Sequence, residues 1–104
     1  MIRCLDEIKD DLKSENFVLS HHAYLRTVER NIQIDDILEC AENLLVIENY
    51  PDDKYSPSCL LLGFTNEKRP IHIQTTLDSS FKMKIITIYE PDLYNWTNNF
   101  KTRI

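Results

Sequence analysis

Two short runs near the carboxyl-terminal end constrain the fold more than any other stretch. Pro70 to Leu77 and Phe81 to Tyr89 each alternate apolar with polar residues, and Asp78-Ser-Ser separates them. A period of two marks a strand with one covered face, and a short polar break between two such runs marks a hairpin. Pairing Leu77 with Lys82 sets His72 opposite Thr87 and Gln74 opposite Ile85. Ile71 and Ile73 then share one face with Ile86 and Ile88, whereas His72, Gln74, Thr87 and Tyr89 form a polar strip on the other. Alternation this clean means that the apolar face needs a cover.

The cover comes from the amino-terminal half. Ile2, Leu5, Ile8 and Leu12 recur at three- and four-residue steps, which predicts an amphipathic helix ending near Asn16. Phe17-Val-Leu reads as a brief extended link. Ser20 then stands where an N-cap belongs, opening a second helix to about Arg30, and Asn31 suits the left-handed conformation that closes helices. A third helix is expected from about Ile34 to Asn43, burying Ile34, Ile37, Leu38 and Ala41.

Leu44 to Tyr50 has strand character and stops at Pro51-Asp-Asp. Cys59 to Phe64 is nearly continuous in apolar residues, as in a strand covered on both faces. Gly63, the only glycine, marks a bulge or a close backbone approach. Pro91 and Asp92 begin a last helical turn. The expected fold is α+β, with N-terminal helices packed on a four-stranded antiparallel β-sheet and a short C-terminal helix. A chain of 104 residues holds this as a single domain, residues 1–104.

Charge and cysteine usage narrow the function classes. The net charge of −5 speaks against a broad nonspecific nucleic-acid surface. It is unevenly spread: residues 1–53 carry 5 Lys/Arg against 13 Asp/Glu, and residues 54–104 carry 7 against 4. The later strands therefore have a local excess of cations. No apolar run approaches a membrane span and the amino-terminal segment is acidic, so a cytoplasmic protein with no membrane contact is expected. Three cysteines without C-x-x-C spacing argue against a disulfide framework and a zinc site, leaving reduced, mostly buried thiols.

One helical stripe stands out. His22, Arg26, Glu29 and Arg30 share a side of the second helix, and Leu25 and Val28 are expected to point the other way, into the core. Such a stripe also suits a solvated face held by an Arg26–Glu29 ion pair. Combined with His72 and Tyr89, however, it has the chemistry of metal-independent RNA cleavage. That reaction needs one group to take the 2′-hydroxyl proton, another to protonate the 5′-oxygen, and a cation on the phosphorane. Metal-dependent cleavage would need clustered acids, and Glu48, Asp52 and Asp53 are not read as a metal site.

Several stretches together resemble one family of short bacterial proteins, the domain of unknown function 4258. They are His22-Ala-x-x-Arg26 with Glu29-Arg30-Asn-Ile, then Ile47-Glu-Asn-Tyr50-Pro-Asp-Asp, Cys59-Leu-Leu-Leu-Gly63, Arg69-Pro-Ile-His72-Ile, and Ile85-Ile-Thr-Ile-Tyr89-Glu-Pro-Asp with Trp96 after it. The resemblance spans about residues 17–104. It implies a toxin component of a bacterial toxin–antitoxin pair, similar to the RelE and barnase-like ribonucleases. It also implies a small cognate antitoxin with a zinc-ribbon-like segment. The expected assignments are His22 and His72 as the acid–base pair, Arg26 as the phosphate clamp, Tyr89 as a positioning hydroxyl, and Arg30 and Arg69 on flanking phosphates of the RNA substrate. No metal and no cofactor enters this scheme. The competing readings are a non-catalytic partner-binding domain, antitoxin or regulatory, and an enzyme acting on a small phosphorylated ligand.

Overall fold

A computed structural model describes residues 1–54 and 56–104. The chain opens with helix α1, Leu5–Lys13, followed by strand β1, Phe17–Leu19, helix α2, His21–Glu29, and helix α3, Ile34–Cys40. Four longer strands come next: β2, Leu45–Tyr50; β3, Ser58–Phe64; β4, Pro70–Thr76; and β5, Met83–Tyr89. Two short strands, β6 (Trp96–Thr97) and β7 (Thr102–Arg103), form a separate antiparallel pair at the end. No helix among the described residues is long and apolar enough to cross a membrane.

The sheet corrects the expected architecture. It has five strands, not four, in the order β1-β5-β4-β3-β2, and it is mixed, because β1 runs parallel to β5. Phe17-Val-Leu is therefore an edge strand and not a link. Three residues are too few to show a period, and the parallel partner lies more than sixty positions away, so nothing local announces the pairing. The expected C-terminal helix is also absent: Asp92 accepts from the backbone N–H groups of Tyr94 and Asn95, and the chain turns into the β6–β7 hairpin.

Local chemistry explains the helix ends. Ser20 caps α2 by accepting from the Ala23 N–H at 3.0 Å, as its position predicts, and Asn31 is left-handed at φ 52°. The Ser20 hydroxyl also donates to the Ile86 carbonyl at 2.7 Å, tying the cap to β5. Glu7 reaches back to the Cys4 N–H at 3.1 Å and Asp36 to the Gln33 N–H at 2.8 Å, each occupying a free donor at a helix start.

The main core lies between the helices and one face of the sheet. Ile8, Leu12, Ala23, Ile37 and Cys40 pack there with Leu61, Ile71, Ile73, Ile85 and Ile88. Gly63 marks a close approach: a Cβ there would lie 2.5 Å from the Cys40 Cβ, so only glycine lets α3 sit this near β3. Arg3 is buried and fastens α1 to the hairpin turn, with bonds to Asp11 at 3.2 Å and the Asp78 carbonyl at 2.7 Å, and a third to the Phe81 carbonyl.

The β4–β5 register differs from the expected one. His72 pairs with Tyr89, Gln74 with Thr87, and Thr75 with Ile85. Ile86 is left over as a bulge, which reverses the alternation beyond it. Ile85, not Ile86, joins Ile88 in the core, and Ile86 moves to the other face.

Candidate functional site on the helix-free face of the sheet

Strand register arranges the helix-free face in rows running across the sheet. Leu45, Leu62, His72 and Tyr89 make one row, Glu48, Leu60, Gln74 and Thr87 the next, and Tyr50, Ser58 and Thr76 the third. The polar strip expected from the alternation, His72 with Gln74, Thr87 and Tyr89, is present on one face. One end of it lies under the terminal segment that carries β6 and β7.

His72 is the anchor of that cover. Its side chain is fully buried, with the Trp96 ring edge-on at 4.3 Å and the Tyr89 ring at 5.2 Å. Nε2 lies 2.9 Å from the Phe100 carbonyl, which only accepts, so Nε2 carries the proton. Nδ1 then accepts from the Tyr89 hydroxyl at 3.1 Å. Burial lowers the imidazole pKa, opposed in part by the Phe100 carbonyl and Glu48, so the ring is neutral at pH 7. Burial likewise raises the Tyr89 pKa. Asn98, Asn99 and Phe100 are all left-handed, at φ 54°, 57° and 68°, and this run aims the Phe100 carbonyl at the imidazole. For Phe100 the conformation costs on the order of 1–2 kcal/mol.

A second cluster lies beside it, closer to solvent. Glu48 and Tyr50 are two apart on β2 and therefore on one face. Arg103, delivered by β7, places Nη2 3.0 Å from Glu48 Oε1 and Nε 3.3 Å from Oε2. The Tyr50 hydroxyl donates to the same Oε1. The Arg103 hydrogen bond holds the Glu48 carboxyl below its usual range, so it is ionised. Burial and Glu48 push the Tyr50 phenol up to about 12, so it keeps its proton. Arg103 also stacks over Trp96 at 4.6 Å, which fixes the guanidinium from behind. Its side chain stays 56% exposed. An ionised carboxylate, a protonated phenol and a reachable guanidinium thus share one hydrogen-bonded group. A depression of about 480 Å³ lined by Tyr50, Asp52, Asp53 and Gln74 opens next to it.

The sequence-predicted residues are divided by the sheet. His72 and Tyr89 meet on the helix-free face. His22, Arg26 and Arg30 belong to α2 and its end, which packs on β5 and β1 through Ala23 on the helix-covered face. Leu25 and Val28 are not in the core but 42% and 64% exposed; the small Ala23 is what α2 buries. Arg26 pairs with Glu29 at 3.0 Å. Arg69 donates to the carbonyls of Arg30 at 2.7 Å and Asn31 at 3.0 Å and pairs with Glu90 at 2.5 Å, so it closes the end of α2.

Among the described residues, no three His, Cys, Asp or Glu side chains converge as metal ligands do. Burial raises the Cys40 thiol to about 12 and Cys59 to about 11, leaving both unreactive, while Cys4 is exposed. Residues missed by the sequence reading are Glu48, Tyr50 and Arg103. The first two carry a signal, an acid and a phenol at i and i+2 of one strand; Arg103 carries none.

Fold and face together define a small α+β domain with a polar cluster on an open sheet surface. The family model described as a domain of unknown function, DUF4258, matches residues 19–90, so the chain belongs to that family. No curated protein and no solved structure matches the chain. The matched span includes Glu48, Tyr50, His72 and Tyr89, while Trp96, Phe100 and Arg103 lie beyond it.

Proposed function

We propose that this protein is a metal-independent endoribonuclease, the toxin component of a bacterial toxin–antitoxin pair acting in the cytoplasm, with its chemistry on the helix-free face. The observation that supports this reading is the mutual bonding of Glu48, Tyr50 and Arg103 at the mouth of an open depression. The acid–base pair first expected, His22 with His72, is replaced in this scheme. His72 has both ring nitrogens occupied and no route to solvent, and His22 is beyond the sheet.

In the proposed reaction an RNA phosphate takes over Arg103 and Tyr50 as its hydrogen-bond donors. Glu48, released from the guanidinium that depresses its pKa, becomes a stronger base and removes the 2′-hydroxyl proton. The 2′-oxygen attacks the adjacent phosphorus, and Arg103 stabilises the charge on the phosphorane. The 5′-oxygen leaves with the Tyr50 proton, giving a 2′,3′-cyclic phosphate and a 5′-hydroxyl end. His72 and Tyr89 hold the terminal segment, and therefore Arg103, in place.

Purified protein incubated with RNA in excess EDTA is expected to cleave it, with Glu48→Gln slower by about a hundredfold or more. Absence of cleavage by the wild type, or an equally fast Glu48→Gln, would defeat the proposal. A partner-binding role draws on a separate observation: Tyr24, Leu25 and Val28 form an exposed apolar strip on α2. A small cognate antitoxin seated there fits the toxin reading, and coexpression of the neighbouring reading frame is expected to relieve growth arrest.

A further inference from the structure

A second depression on the same face, about 550 Å³ in volume, is lined by Asp53, Thr76, Asp78, Phe81, Lys82, Lys84 and Ile86. It meets the depression beside Tyr50 at Asp53, which lines both. Register makes the connection direct: Tyr50 pairs with Ser58 and Ser58 with Thr76, so Thr76 lies two strand spacings from Tyr50, roughly 10 Å. The two depressions thus adjoin at Asp53, one beside Tyr50 and the other beyond Thr76.

The chemistry of the second depression is specific. Phe81 stands at the hairpin turn with 71% of its surface exposed, so its ring is reachable from solvent. Ile86 reaches this face only because of the β5 bulge, and it adds an apolar wall. Each of the two carboxylates in the lining has a donor of its own within the fold. Asp53 accepts from the Ser58 hydroxyl at 2.6 Å, and Asp78 accepts from the Ser80 N–H at 2.9 Å. Neither Lys82 nor Lys84 has an ion-pair partner among the described residues. An exposed ring, an apolar wall and two uncommitted ammonium groups suit a planar apolar group carrying negative charge. A nucleotide of a single strand meets that description, its base against Phe81 and its phosphates on the lysines.

We infer that this depression is a nucleotide subsite for single-stranded RNA, holding a base and phosphates while the scissile bond lies at Glu48. The inference rests on the ribonuclease reading and names its substrate class, single strands in place of duplexes. A duplex keeps its bases stacked inside and has none to offer Phe81.

The test is equilibrium binding of a fluorescent, fully 2′-O-methylated oligoribonucleotide, which lacks the attacking hydroxyl and so separates binding from cleavage. Binding is expected at low salt, with the single strand preferred over its duplex. Phe81→Ala should weaken it about five- to a hundredfold. The Lys82→Ala, Lys84→Ala double variant should flatten the logarithmic salt dependence by roughly 1.4. Lys13→Ala, on the helix side where it pairs with Glu42, should leave affinity unchanged. Wild type that fails to bind, prefers the duplex, or binds as well after both changes overturns the subsite. Circular dichroism of each variant confirms that a loss is not unfolding. If these variants weaken binding but no cleavage of ordinary RNA occurs, the subsite stands and the catalytic reading falls; cleavage with unaltered binding does the reverse.

Discussion

The two faces of the sheet are built for different work. Under the helices the side chains are aliphatic and sealed: Leu61, Ile71, Ile73, Ile85 and Ile88 meet Ile8, Leu12 and Ile37, and Gly63 lets Cys40 approach β3 closely. On the other face a buried imidazole, a phenol and an indole hold down a terminal segment, and beside them an ionised acid faces water. Apolar burial near 25 cal/mol per Å² makes the first face the larger source of stability. Groups that can give and take protons are concentrated on the second. A polar stripe on the outside of α2 therefore says less about function than the faces of the β4–β5 hairpin.

Four substitutions or conditions can break this division, beginning with the covered face. Leu61→Ala removes a fully buried side chain from the core and should cost about 2–5 kcal/mol, lowering the melting temperature by on the order of 10 °C. A shift of only a degree or two in a thermal melt would deny that face its role. Gly63→Ala forces a methyl against Cys40 and should cost about 1–3 kcal/mol in a urea titration, because α3 has to move. Ser20→Ala removes the α2 cap and the bond to the Ile86 carbonyl, for a loss of about 1 kcal/mol in the same titration. No change would mean that α2 does not depend on its anchor to the bulge.

The smallest effect is pH-dependent and belongs to the open face. His72 has its pKa lowered by burial, so below the ordinary value of 6.5 the unfolded chain takes up a proton that the folded chain resists. Stability should be complete above about pH 7 and fall as the pH drops through 6.5 toward the lower folded value. Glu48 acts in a separate window: its carboxyl is held below 4.5, so its contribution is present above 4.5 and is lost only as the pH falls further. His72→Gln should flatten the melting curve between pH 7 and 5 and leave the more acidic loss in place. An unchanged profile would mean that His72 is not buried neutral.

Much of the architecture is legible in the chain itself. The alternation of residues 70–89 foretells the hairpin and the grouping of His72, Gln74, Thr87 and Tyr89, and Ser20, Asn31 and Gly63 take the roles their chemistry suggests. The failures have physical causes. β1 is three residues long and finds its partner in β5, far along the chain. The Ile86 bulge adds one residue to an otherwise regular strand, and no composition rule marks which isoleucine is displaced. The pattern of α2 points Leu25 and Val28 inward, but the space over β5 is taken by Ala23. The Glu48–Tyr50–Arg103 group depends on a hairpin that brings the end of the chain back across the sheet, 55 residues from Glu48. Pair periodicity on β2 is visible; the return of the chain is not.

Growth arrest on induced expression in bacteria, scored side by side for Glu48→Gln and for the His22→Ala, Arg26→Ala double variant, tests the helix-free face most directly. The account predicts that cells tolerate Glu48→Gln and that the α2 double variant arrests growth as the wild type does, with both proteins folded and equally abundant. Arrest by Glu48→Gln together with harmlessness of the double variant would return the chemistry to α2 and contradict the account.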